Sequence, residues 1–178
     1  MIRHSHIIAA ALLALASSWS ATAQESAPPA LPGGASSLQE TYQDWRVTCQ
    51  LVDNVTACAT FQQQASQDGQ RVLSVELRNA ADNTLSGVVV LPFGLRLDAG
   101  VALQVDEGAV NEPRRFRTCL PVGCVVPLTL DAATVSAMRA GHTLTLLSAG
   151  DNGQEIAFPV SLNGIGATLD RLQALGVN

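Results

Sequence analysis

"RRFRTCLPVGCVVPLTLD", residues 114–131, is the stretch on which the fold turns. Its two ends, "RRFRTC" (114–119) and "CVVPLTL" (124–130), read as short strands. Four residues, Pro121 and Gly123 among them, separate Cys119 from Cys124. Asp131 closes the run where a helix N-cap belongs.

The same rhythm extends in both directions. Toward the N-terminus lie "DWRVTC" (44–49), "VTACATFQQ" (55–63), "RVLSVEL" (71–77), "LSGVVVLP" (85–92) and "VALQVD" (101–106). Toward the C-terminus lie "TLTLLSA" (143–149) and "QEIAFPVSL" (154–162). Turn signals such as "QDGQ", "DAG" and "DNGQ" punctuate them. Many short strands so spaced predict a mostly β chain, a single-domain antiparallel β-sandwich-like fold.

Two segments leave that rhythm. "DAATVSAMRAG" has Asp131 at the N-cap position, Gly141 at the stop and Val135 and Met138 on one side, which predicts a short helix. "NGIGATLDRLQALG" spaces Ile165, Leu169, Leu172 and Leu175 as one helical stripe ending at Gly176. This C-terminal helix is expected to cover an edge or open end of the sheets.

The N-terminus sets the compartment. "MIRHSHIIAAALLALASSWSATAQ" has Arg3 in a polar leader, an apolar stretch from Ile7 to Ala16, and Ala21-Thr22-Ala23. This is the pattern of a secretory signal peptide over residues 1–23, cleaved after Ala23. The apolar stretch is too short for a membrane-spanning helix, and no later segment serves as one. Residues 24–39, "QESAPPALPGGASSLQ", read as a flexible Pro/Gly/Ser/Ala linker, and residues 40–178 as the folded β-rich domain. The expected location is periplasmic or exported.

Cleavage leaves 155 residues carrying 9 Arg against 15 Asp and Glu, a net charge of −6. That acidic balance argues against nucleic acid as a partner. All ten basic residues of the chain are Arg. A Schiff base, a Ser-Lys dyad or a lysine general base is therefore excluded.

Four cysteines in an exported chain, Cys49, Cys58, Cys119 and Cys124, read first as two disulfides. Three pairings are open. Proximity favours Cys49 with Cys58 and Cys119 with Cys124, each bridge stabilising by roughly 2–3 kcal/mol on the chain-entropy model. The crossed pairings close longer loops and need the two segments to be neighbours. Strict alternation raises a conflict: Cys49 shares a face with Trp45 and Val47, whereas Cys58 lies opposite the apolar Val55, Ala57 and Phe61. A bulge or a non-local pairing would resolve it. A redox-active Cys119/Cys124 pair would need a lowered thiolate pKa, for which Arg115 and Arg117 are the nearby cations. Zinc is disfavoured by the cysteine spacings and by His142 being the single histidine left after cleavage.

Other chemistry is sparse. A Ser-His-Asp arrangement would have to use His142, and no G-x-S-x-G elbow is present. Asp106, Glu107 and Glu112 form an acidic loop without the order of ligands of an EF-hand. Trp45 reads as a core anchor. If Phe116 faces the core, Arg115 and Arg117 share an outer face able to bind an anionic group or a partner's carboxylate. These two form the candidate binding surface; no catalytic residue and no metal ligand is assigned.

Several segments together resemble the invasion-associated locus B family of exported bacterial proteins. They are "DWRVTC" with Cys58 soon after, "LPFGLRLDAGVALQVD", "FRTCLPVGC" with "VVPLTLD", "AMRAGHTLTL" and "FPVSLNGIGATLDRL". The resemblance implies a β-rich periplasmic or envelope domain, linked by name to host-cell invasion, with no established enzymatic activity or cofactor. It carries over no catalytic residues. The reading that follows is a disulfide-stapled, non-catalytic interaction module with a protein partner in the envelope or at a host surface. Thiol-disulfide redox chemistry at Cys119/Cys124 and small-ligand carriage are the alternatives.

Overall fold

The computed structural model describes residues 31–175 apart from 54, 68 and 70. The proposed signal peptide, linker residues 24–30 and the Gly176 stop lie outside the described residues. Among the described residues, a short 3-10 helix (Pro32–Gly34) is followed by ten strands and two α-helices in order: β1 (Ser37–Tyr42), β2 (Trp45–Val52), β3 (Val55–Ala65), β4 (Arg71–Asn79), β5 (Leu85–Leu91), β6 (Ala102–Val105), β7 (Thr118–Leu120), β8 (Gly123–Leu130), α1 (Ala132–Ala140), β9 (Thr143–Ala149), β10 (Glu155–Ser161) and α2 (Ile165–Ala174). The mostly β, antiparallel reading holds.

Seven strands form one sheet in the order β1-β2-β3-β4-β5-β8-β7, and three form a second, β10-β9-β6. The chain leaves the large sheet after β5, contributes β6 to the small one, and returns through β7 so that β8 pairs with β5. One core joins the two sheets and both helices. The large sheet contributes Trp45, Val47, Leu73, Leu77 and Val89, the small one Leu103, Leu144, Leu146 and Val160. Val135 and Met138 of α1 and Ile165, Leu169 and Leu172 of α2 complete it. The stripe read from the sequence is thus the buried face of α2, which packs over β1–β4 and touches α1.

Helix starts and stops have local causes. The Asp131 carboxylate accepts from the Thr134 N–H at 2.7 Å, the expected N-cap. Gly141 does not end α1 in the left-handed conformation expected of a glycine stop; its backbone is extended (φ −89°, ψ 179°). Glycine is needed there for room, because a Cβ would crowd Asp106 Oδ2 and Val105 Cγ1, both at 2.7 Å. Gly164, at the head of α2, does sit at φ 90°, and a Cβ on it would run into the Tyr42 carbonyl oxygen.

Two boundaries differ from expectation. Ordered structure begins before Glu40: Leu31 is buried and β1 starts at Ser37. This strand, "SLQETY", alternates exposed with half-buried residues at the edge of the large sheet, so it carries little apolar signal. The strand expected over 114–119 shrinks to Thr118–Leu120. Residues 114–117 cross between the sheets, bridged to Val101 at Arg114 and to Val125 through the Arg117 N–H. A segment that passes from one sheet to the other cannot ladder fully with either.

Candidate functional site

The cysteines pair locally, Cys49 with Cys58 and Cys119 with Cys124, and among the described residues none is free. Each bridge joins directly opposed residues of neighbouring antiparallel strands. Their Cα atoms lie 4.1 and 3.9 Å apart, the closer of the two spacings that opposed residues take in an antiparallel pair. Both sit on hairpins whose innermost pairs are Val52 with Val55 and Leu120 with Gly123. Gly123 enters β8 at φ 130°, where a Cβ would meet the Leu91 carbonyl oxygen at 2.5 Å.

The face conflict at Cys58 disappears because β3 is inverted relative to its hydrophobicity. Thr56, Cys58, Thr60 and Gln62 point inward, and Val55, Ala57 and Phe61 point away from the core. The inward polar groups are partly satisfied across the core. Gln62 Nε2 and Trp45 Nε1 both donate to the Ser161 carbonyl, at 2.9 and 2.8 Å. Trp45 is wholly buried by this anchorage. On the outer face the Arg46 guanidinium lies 5.3 Å from the Phe61 ring centroid.

The two bridges differ in environment. Cys49 and Cys58 are 0% and 9% exposed, both within the hydrophobic core. In the other pair Cys124 is 2% exposed, but Cys119 lies open on edge strand β7, all of whose residues are exposed. The pair sits in a hairpin, away from the helix N-terminus that lowers thiolate pKa in many dithiol oxidoreductases.

The three arginines of "PRRFRTC" separate by role. Arg114 is half-buried and donates through Nη2 to the Thr129 carbonyl at 3.1 Å, closing part of the free edge of β8. Phe116 is half-buried against the core. Arg115 and Arg117 are exposed, and neither guanidinium has an acidic or carbonyl partner among the described residues. The structure therefore brings these two together on one extended, solvent-facing segment beside Cys119.

The remaining candidates have structural surroundings. Asp106 accepts from the His142 N–H at 3.1 Å and the Thr143 N–H at 2.9 Å, latching the turn between α1 and β9. His142 is exposed there, and its imidazole has no Ser or Asp partner among the described residues. Glu107 and Glu112 are exposed, and no group of three His, Cys, Asp or Glu residues converges among the described residues. A cleft of about 430 Å³ opens between the 79–85 turn, α1 and α2, with Asp82, Asn83, Arg139 and Gln173 on its wall. It lies at the surface, not between the sheets.

One cluster has no local signal in sequence. Arg171 of α2 holds Glu40 of β1 through Nε (2.7 Å) and Nη2 (2.8 Å), and Tyr42 donates its hydroxyl to the same carboxylate at 2.9 Å. The Arg171 hydrogen bonds hold the Glu40 carboxyl below its ordinary range, and the Glu40 carboxylate raises the Tyr42 phenol.

These features define a class: a disulfide-pinned antiparallel β protein of two sheets and two covering helices. The family model described as Invasion associated locus B (IalB) protein matches residues 45–173. The chain belongs to this family. It is 49% identical over 147 residues to the invasion protein B homolog of Brucella abortus (strain 2308), covering 82% of this chain and 84% of that protein. Against invasion protein B of Bartonella bacilliformis it is 35% identical over 149 residues, covering 82% and 80%. The crystal structure of invasion associated protein b from Bartonella henselae superposes with a TM-score of 0.74 at 36% identity, covering 78% of this chain and 97% of that one.

Proposed function

We propose that this chain is an exported, non-catalytic interaction module of the bacterial envelope that recognises a protein partner through the Arg115/Arg117 segment. The observation that carries the reading is the pair of exposed guanidinium groups, without an acidic partner among the described residues, on a segment held between two sheets and pinned at one end by a disulfide. Arginine without an internal partner is suited to bidentate capture of carboxylates or other anionic groups. Export is supported by the three-part leader over residues 1–23, and an oxidising compartment by the two disulfides. No helix among the described residues is long and apolar enough to cross a membrane. The names of the relatives, invasion proteins rather than enzymes, favour recognition over turnover. A partner bearing an acidic patch fits this surface; nucleic acid and a bound cofactor form no part of the reading.

The test is capture by the oxidised mature protein from its own envelope extract, followed by competition with an acidic peptide. A captured protein displaced by the acidic peptide, and not by a basic one of equal length, supports the reading. Capture indifferent to both contradicts the arginine surface.

A further inference from the structure

We infer that Cys119–Cys124 is a thiol-exchange site, opened by an external dithiol while Cys49–Cys58 and the fold stay intact. Access to sulfur and the choice of sulfur attacked govern exchange rates. The Cys49–Cys58 bridge lies within the buried core, so a reagent reaches it through unfolding. Cys119 instead lies on a three-residue edge strand, beside exposed Leu120 and Val122 at the hairpin tip. Its partner Cys124 is shielded, which assigns Cys119 as the sulfur attacked and Cys124 as the leaving group. Arg117, two residues away and exposed, adds positive charge on the approach of a thiolate.

The exchange balances as a two-electron transfer. One thiolate of the dithiol bonds to Sγ of Cys119, the Cys119–Cys124 bond breaks, and Cys124 leaves as a thiolate that takes up a proton. The second thiolate of the dithiol then attacks the reagent's own sulfur in the mixed disulfide. The reagent leaves as a cyclic disulfide, and Cys119 is released as a thiol.

The consequence falls on the neighbouring segment. Without the bridge, β7 is held to β8 by three residue pairs, and residues 114–117 by the Val101–Arg114 bridge and the Arg117 N–H to Val125 carbonyl bond at 2.8 Å. So short a hairpin edge is marginal by itself. Exchange therefore loosens the segment that carries Arg115 and Arg117. That consequence rests on the recognition surface proposed above; the exchange site stands without it.

The experiment treats the oxidised mature protein with reduced glutathione, then with a dithiol, quenches by alkylation and maps the cysteines by peptide mass spectrometry. We expect Cys119 and Cys124 to become labelled about tenfold or more faster than Cys49 and Cys58. The glutathione adduct should fall on Cys119, with circular dichroism unchanged and the fast rate insensitive to urea below the unfolding transition. Equal rates for the two pairs, an adduct on Cys124, or a rate that climbs with urea as unfolding does would each overturn the assignment. Failure of acidic-peptide competition with the fast labelling intact would discard the recognition surface alone.

Discussion

Arg171, on the last helix, closes on Glu40, on the first strand, with a nitrogen on each carboxylate oxygen at 2.7 and 2.8 Å. The pair joins positions 131 residues apart and fastens α2 over the edge of the large sheet. Its titration makes stability depend on pH. Glu40's carboxyl is lowered in the folded state, so its contribution is fully present above the ordinary value of 4.5 and is lost as pH falls through the folded value. Tyr42 is raised, so its contribution is full below 10.0 and is lost as pH climbs through the folded value. We expect Glu40→Gln to lower the melting temperature by a few degrees at neutral pH. The gap from the natural protein should close in acid, as thermal melts across that range would show; a constant gap would contradict this role.

Gly164 stands at φ 90° with its α-carbon against the Tyr42 carbonyl. Gly164→Ala combines a left-handed alanine with a backbone collision, and should cost about 2 kcal/mol or more in urea unfolding. A loss below about 0.5 kcal/mol, an amount ordinary for exposed surface sites, would show that the approach is not close in solution.

Thr60 is fully buried between Val47 and Leu77 in register, and its hydroxyl has no hydrogen-bond partner among the described residues. Removing an unsatisfied buried hydroxyl at nearly constant shape should help. Thr60→Val is expected to stabilise by about 1 kcal/mol, measured by denaturant midpoint. Destabilisation would mean that the hydroxyl is satisfied in solution.

Export predicts a defined mature terminus. Sequencing of the protein purified from the envelope fraction should begin at Gln24, after Ala23. A terminus at Met1 would remove the leader from the account.

Periodicity made the helices and most strands legible. Asp131 marked the start of α1, and Ile165, Leu169 and Leu172 marked the buried face of α2. Hydrophobicity misled at β3, where inward Thr56, Thr60 and Gln62 face a core that supplies the Ser161 carbonyl, a partner 99 residues away from Gln62. Turn length would have been the better guide to the cysteines. With two residues between Val52 and Val55, Cys49 must oppose Cys58, and the same symmetry about residues 121–122 pairs Cys119 with Cys124. Strand β1 escaped because an edge strand with one face over a helix can be mostly polar. The Glu40–Arg171 pair escaped because only the tertiary fold brings those residues together. At the candidate surface, the local alternation of Arg115, Phe116 and Arg117 was legible, whereas the path of 114–117 between two sheets was not.

The most direct measurement compares capture from envelope extract by the natural protein and by Arg115→Glu/Arg117→Glu, both oxidised and matched for melting temperature. A protein retained by the natural chain is expected to be lost from the charge-reversed one. Equal retention of that protein by both would contradict recognition through Arg115 and Arg117.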